Sequence, residues 1–188
     1  MAYGRRTAFR QRSETSRWMI GLVMLGGSLA IYAYEKITRT PDTPISGSAF
    51  VADGDTVRIE GNRIRLIDID APELEQTCYD PNGKEWPCGE VASGELRKAL
   101  RGKTLTCQPH GLDQYRRVLA TCSLPDGTDI NAWMIRQGWA VSFGYARVYD
   151  KEETEARSAR RGIWRGTFTE PHKWREQHPR EDTVEPPR

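Results

Sequence analysis

Three groups of charged side chains stand at the ends of short apolar runs. Asp53-Gly54-Asp55-Thr56 makes a tight turn just before one run. Arg65-Leu66-Ile67-Asp68-Ile69-Asp70-Ala71-Pro72-Glu73 carries an arginine, two aspartates and a glutamate along a second run and its exit. Asp113-Gln114-Tyr115-Arg116-Arg117 sets two guanidinium groups on a loop that leads into a third. Carboxylates such as Asp55 and Asp70 are hard oxygen ligands of the kind calcium takes. A glutamate beside such a cation, here Glu73, can accept a proton from water and aim the resulting hydroxide at phosphorus. Guanidinium groups grip phosphate oxygens through paired hydrogen bonds and offset the charge that builds up in the transition state. Taken singly, Asp53 and Asp55 read as turn formers and Arg65 with Glu73 as a surface ion pair. Taken together, the residue types suit attack on a phosphodiester.

Strands must bring these groups together. Strand-like runs are expected at Ala49–Ala52, Thr56–Glu60, Arg63–Ile69, Lys103–Gln108 and Val118–Ser123, with Gly61-Asn62 as a hairpin turn. A helix is expected over Glu90–Arg101, with Ala92, Leu96, Ala99 and Leu100 on one face and Gly102 past its end. A short helix follows with Asn131 as its cap. A third opens at Asp150-x-x-Glu153, a capping-box pattern, and its Glu152, Glu153, Glu155, Arg157, Arg160 and Arg161 read as a solvated, salt-bridged face. The fold class is mainly β with α: a five-stranded closed barrel with about three helices. Trp139, Trp164 and Trp174 are expected in the packing between barrel and helices, and His110, His172 and His178 lack ligand spacing.

The order D-G-D-T, then R-L-x-x-I-D-x-P-E, then D-x-Y-x-R resembles the staphylococcal nuclease (thermonuclease) family. The later strings I-N-x-x-M-I-x-x-G-W-A and A-R-x-G-I-W agree with it as well. The resemblance covers roughly Ile45 to Arg175. It implies an OB-fold barrel and calcium-dependent endonuclease cleavage of DNA or RNA to 3′-phosphate products. It also implies that Asp55, Asp70 and the Ala71 carbonyl hold calcium, that Glu73 is the general base, and that Arg65 and Arg117 hold the scissile phosphate. Tyr115 would lie beside the nucleotide with Arg116 on the same loop, and Phe143 and Tyr145 are near the place of a base-stacking tyrosine. Two departures stand out. Arg116 replaces a glycine of the family's Tyr-Gly-Arg, and Ala71 replaces a threonine. Two other readings keep the barrel without the chemistry: a non-catalytic nucleic-acid-binding module, and an accessory protein of exopolysaccharide or envelope biosynthesis. Retention of all five charged residues counts against the first.

The 188 residues carry a formal net charge of +2. Five arginines against Glu14 precede Trp18, so acidic residues outnumber basic ones by two in the rest. That balance excludes a broadly basic nucleic-acid surface; a nucleic-acid partner must be held at a local site. Residues 18–34 are apolar and uncharged, with Trp18, Tyr32 and Tyr34 at the ends. After the basic segment 1–17 they read as a transmembrane anchor or a signal sequence, which places the remainder outside the cytoplasm. A tether at 35–44, the domain at 45–175 and a disordered Glu/Pro-rich tail at 176–188 follow, and the protein is expected to be monomeric. Four cysteines allow three pairings. Cys78 and Cys88 bracket a turn-rich stretch, and Cys107 and Cys122 lie in runs that can pair as strands. The expected bridges are Cys78–Cys88 and Cys107–Cys122, with four free thiols the alternative.

Overall fold

The sharpest turn in the domain joins strands β3 (Thr56–Ile59) and β4 (Asn62–Leu66). Its two residues are Glu60 and Gly61, with φ of 49° and 82°. Positive φ at both positions matches the twist of an antiparallel hairpin. The turn therefore lies one residue earlier than Gly61-Asn62, and Asn62 pairs with Ile59 inside the ladder. A computed structural model describes residues 43–179. The basic segment, the apolar span, most of the tether and the last residues of the tail lie outside the described residues. Among the described residues no helix is long and apolar enough to cross a membrane.

Strand β1 (Ile45–Ser48) precedes the first expected strand, and only Ala49 separates it from β2 (Phe50–Val51). With β8 (Thr104–Leu112) and β9 (Val118–Ser123) these strands form one sheet in the order β1-β8-β9-β4-β3-β2. The first and last strands of that order are consecutive in the chain. The sheet thus nearly closes into a barrel consistent with an OB-fold, and it has six strands rather than the five expected, because the chain is set as two strands on either side of Ala49. Alternation points Ile64 and Leu66 of β4, and Val118, Ala120 and Cys122 of β9, into the core. Cys107 faces Cys122 across the β8–β9 ladder and is bridged to it.

The run Arg63–Ile69 is not one strand. It breaks after Leu66, turns at Asp68 with φ 62°, and resumes as β5 (Ile69–Asp70), which pairs with β10 (Val141–Ser142). A short hairpin, β6 (Cys78–Tyr79) and β7 (Glu85–Trp86), stands beside the barrel. The Cys78–Cys88 bridge ties it to the start of helix α1 (Cys88–Leu100). Leu96 and Leu100 of α1 join the barrel core.

Helix α2 (Ile130–Arg136) is capped by Asp129, whose carboxylate accepts from the Ala132 amide at 3.0 Å. Asn131 is not the cap. It is buried, donating to the carbonyls of Ile67 at 2.9 Å and Ala120 at 3.1 Å and accepting from the Cys122 amide at 3.1 Å. Helix α3 (Asp150–Ser158) has no side-chain cap. Its Glu153 is buried rather than solvated, accepting from the Ser142 amide at 2.8 Å and from Arg157 at 2.6 Å. A 3₁₀ turn at Gly162–Arg165 leads to the fourth helix among the described residues, α4 (Pro171–Gln177), which starts on proline and runs two residues past Arg175.

Two stability measurements follow from this backbone. Asn131→Leu removes the partner of the buried Cys122 amide and a donor to the buried Ala120 carbonyl, so denaturant unfolding should show a loss of about 2–4 kcal/mol. Arg116 sits at φ 61° in the β8–β9 turn, a conformation that costs a side-chain-bearing residue about 1–2 kcal/mol. Arg116→Gly should raise the melting temperature relative to Arg116→Ala, which keeps the β-carbon. Equal melting of the two variants would show that the turn carries no such strain.

Candidate active site

One end of the barrel gathers the charged residues into a continuous hydrogen-bonded file. The Asp53 side chain accepts from the Asp55 amide at 3.0 Å, so Asp53 is the turn former and Asp55 is the residue the turn presents. Gly54 lets this turn lie against β5. A β-carbon there would come within 2.6 Å of the Ala71 side chain. Thr56 stands opposite Arg65 in the β3–β4 register. Arg65 donates from Nη1 to Asp55 Oδ1 at 2.8 Å and from Nη2 to Asp70 Oδ1 at 2.9 Å. Five residues separate Arg65 from Asp70, which on a regular strand would put them on opposite faces. The corner at Asp68 resets the alternation and turns both inward to the same point.

Glu73 leaves β5 after Pro72 and is held by two buried neighbours. Its amide donates to the side chain of Gln76 at 3.3 Å, and Gln76 in turn donates to the Thr169 carbonyl at 2.6 Å. Gly89, at the start of α1, packs directly under the Glu73 carbonyl, where any side chain would collide with it. From the other side Arg175 of α4 reaches in. Its Nη1 donates to Asp70 Oδ1 at 2.9 Å and to Glu73 Oε1 at 2.9 Å, and its Nη2 to Asp70 Oδ2 at 3.0 Å.

Arg117 joins the file through Thr56. Its Nη1 donates to Thr56 Oγ1 at 3.3 Å, and that hydroxyl donates to Asp55 Oδ1 at 3.0 Å. Asp113 anchors the arginine, accepting from Nε at 2.7 Å and from the Arg117 amide at 2.8 Å. The Arg117 guanidinium also lies over the Tyr115 ring, 5.6 Å from its centre, and Tyr115 is exposed. Arg116 occupies the glycine position of the turn, as its φ records. Phe143 and Tyr145 are exposed on the segment that follows β10, the partner strand of Asp70.

The charges around Asp70 are unequal. Asp55, Asp70 and Glu73 bring three carboxylates, and Arg65 and Arg175 bring two guanidinium groups. Burial pushes the Asp55 carboxyl up, against the pull of Arg65. Burial works to lower Arg65 and Arg175, but the carboxylates around them outweigh it and hold both above their ordinary values. For calcium the donor set fits in kind, since Asp55 and Asp70 offer oxygen ligands and the cluster carries an excess of negative charge. Among the described residues no three His, Cys, Asp or Glu side chains form a closed cage. The Ala71 carbonyl and water would have to complete the roughly six to eight oxygens calcium takes. The two guanidinium groups set positive charge against the same carboxylates.

Other features stand apart from the file. A cavity of about 540 Å³ beside the β6–β7 hairpin is lined by Asp80, Lys84, Glu85, Trp86 and Arg165. Trp139 and Trp164 pack on the core clusters, while Trp174 stacks on His178. His110 bonds to Thr121. The geometry adds Thr56, Gln76, Asp113 and Arg175 to the residues that position the site. Pro171 at a helix start was the one sequence signal for α4, and nothing local pointed Arg175 toward Asp70.

Residues 63–166 match the family described as staphylococcal nuclease homologue. The chain is 39% identical over 125 residues to a succinoglycan biosynthesis protein, ExoI, of Rhizobium meliloti (strain 1021), covering 65% of each chain. It is 32% identical over 121 residues to an uncharacterized endonuclease of Escherichia coli, covering 61% of this chain and 72% of the relative. A micrococcal nuclease of Shigella flexneri is 33% identical over 144 residues, with 66% of this chain and 76% of the relative covered. The barrel, the order of the charged residues along it and the extent of these matches agree: this chain belongs to the staphylococcal nuclease homologue family.

Proposed function

We propose that this chain is a calcium-dependent endonuclease that hydrolyses phosphodiester bonds of DNA or RNA, leaving 3′-phosphate and 5′-hydroxyl ends. The observation that carries the reading is the file running Arg117–Thr56–Asp55–Arg65–Asp70, with Glu73 joined to Asp70 through Arg175. Asp55, Asp70 and the Ala71 carbonyl are the residues that would hold calcium, which when bound supplies positive charge beside the phosphate and a shell of water. Arg65 and Arg117 flank that point and hold the phosphate oxygens, and Tyr115 offers its ring to the nucleotide. Glu73 takes the proton from the attacking water as its oxygen adds to phosphorus. The bond to the 5′-oxygen breaks, and that oxygen leaves with the electron pair and gains a proton. Extracytoplasmic placement belongs to the same proposal, supported by the two disulfides and the N-terminal charge pattern.

A second reading, an accessory part in polysaccharide biosynthesis, is favoured by the likeness to the succinoglycan biosynthesis protein. It names a pathway rather than a reaction and is compatible with nuclease chemistry.

Substitution separates chemistry from binding. Glu73→Gln should slow cleavage of a single-stranded oligonucleotide by about 10²–10⁴-fold while its affinity at fixed salt is kept. Arg117→Lys should also lose most cleavage, because a point charge does not replace the guanidinium fork. Cleavage by Glu73→Gln at the wild-type rate would remove Glu73 from the mechanism.

Acid should loosen the Arg117 anchor. Burial pushes the Asp113 carboxyl up, but hydrogen bonds from the Arg117 amide and side chain outweigh it and hold the carboxyl below its ordinary value. A folded value below the unfolded one means that the contribution is complete above about pH 4 and is lost as pH falls through the folded value. The melting-temperature gap between wild type and Asp113→Asn should be full at neutral pH and close below about pH 4. A gap independent of pH would contradict the charged anchor.

A further inference from the structure

Both oxygens of the buried Asp70 carboxylate are taken by guanidinium groups. Arg65 and Arg175 share Oδ1, and Arg175 alone holds Oδ2. The Asp70 side chain has no exposed surface left beside these three bonds, so a cation reaches it only where one of the two arginines moves aside. Arg65 sits within the β3–β4 ladder, is paired to two aspartates and has a side chain only 16% exposed. Arg175 is 35% exposed and stands on a helix of seven residues whose only buried residue is Pro171. So short a helix has little stability of its own. Its start is fastened, because the Gln76 side chain holds the Thr169 carbonyl and Thr167 bridges to Tyr79. Arg175 can therefore swing out while the chain stays attached. The family match ends at residue 166, so Arg175 lies beyond the part of the chain that the match covers.

We propose that Arg175 is a built-in competitor for the divalent cation: its guanidinium closes the Asp70–Glu73 edge of the site and must withdraw before the cation can bind. The proposal rests on the reading of Asp55 and Asp70 as cation ligands. It makes Arg175 a positioning residue rather than a catalytic one, setting the cation concentration at which the site fills. The apparent affinity is the intrinsic affinity reduced by the fraction of molecules in which α4 has let go. The same movement breaks the Arg175 bond to Glu73, so cation uptake and a change at the proposed general base are coupled.

Calcium titration calorimetry on the full chain, without nucleic acid, tests this directly. Arg175→Gln should bind calcium about tenfold more tightly than wild type, since the competing fork is gone. Arg175→Lys should fall between them, keeping charge but losing the fork. In wild type, calcium should speed hydrogen exchange at the amides of residues 172–177. Equal or weaker calcium binding by Arg175→Gln, or calcium-dependent protection of 172–177, overturns the competitor role and leaves the cation site standing. If Arg175→Gln does not fold, the decision passes to Arg175→Lys and the exchange measurement. Absence of calcium binding in every variant refutes the cation-site reading itself, and the competitor with it.

Discussion

A carboxylate with no exposed surface must find positive charge within hydrogen-bonding reach, and Asp70 is that carboxylate here. Its partners come from distant parts of the chain: Arg65 from the barrel wall and Arg175 from helix α4. Arg65 is shared with Asp55, so one guanidinium fixes the separation of both aspartates. The structures around them serve this arrangement. The β3–β4 register sets Thr56 against Arg65, Gly54 brings the Asp55 turn onto Ala71, and pairing with β10 holds β5 in place.

Gathering three carboxylates at one end of a small barrel is costly for folding, because each is removed from water and mutual repulsion remains. Two devices offset that cost elsewhere. The Cys107–Cys122 and Cys78–Cys88 bridges restrict the unfolded chain, and Asn131 satisfies backbone groups at the corner where β4 ends. Two residues next to the same site, Asp68 and Arg116, have positive φ. Stability is spent where the charged groups meet and recovered in the barrel wall.

What could be read from the sequence was whatever local chemistry dictates. Asp53-Gly54-Asp55 is a turn because of its residue types, Pro72 ends β5 because it lacks a donor, and the two cysteine pairs fit their loops. What escaped depends on long-range contact. Arg63–Ile69 looks like one strand because its apolar pattern runs through the corner at Asp68. Asn131 and Glu153 look like a helix cap and a surface acid, and their true partners are strand backbone groups that folding brings to them. Arg175 is separated from Asp70 by 105 residues, and no pattern of spacing encodes that contact. The roles proposed for Asp55, Asp70 and Glu73 rest on order and family likeness, and the geometry shows that the chain brings the three together.

The central claim is that this end of the barrel cuts nucleic acid with the help of calcium. The most direct measurement is incubation of the purified chain with an end-labelled single-stranded DNA in calcium and in excess chelator, followed by analysis of the fragment ends. The account predicts cleavage in calcium alone, with fragments ending in 3′-phosphate. Intact DNA in calcium, or equal cleavage in chelator, would contradict it.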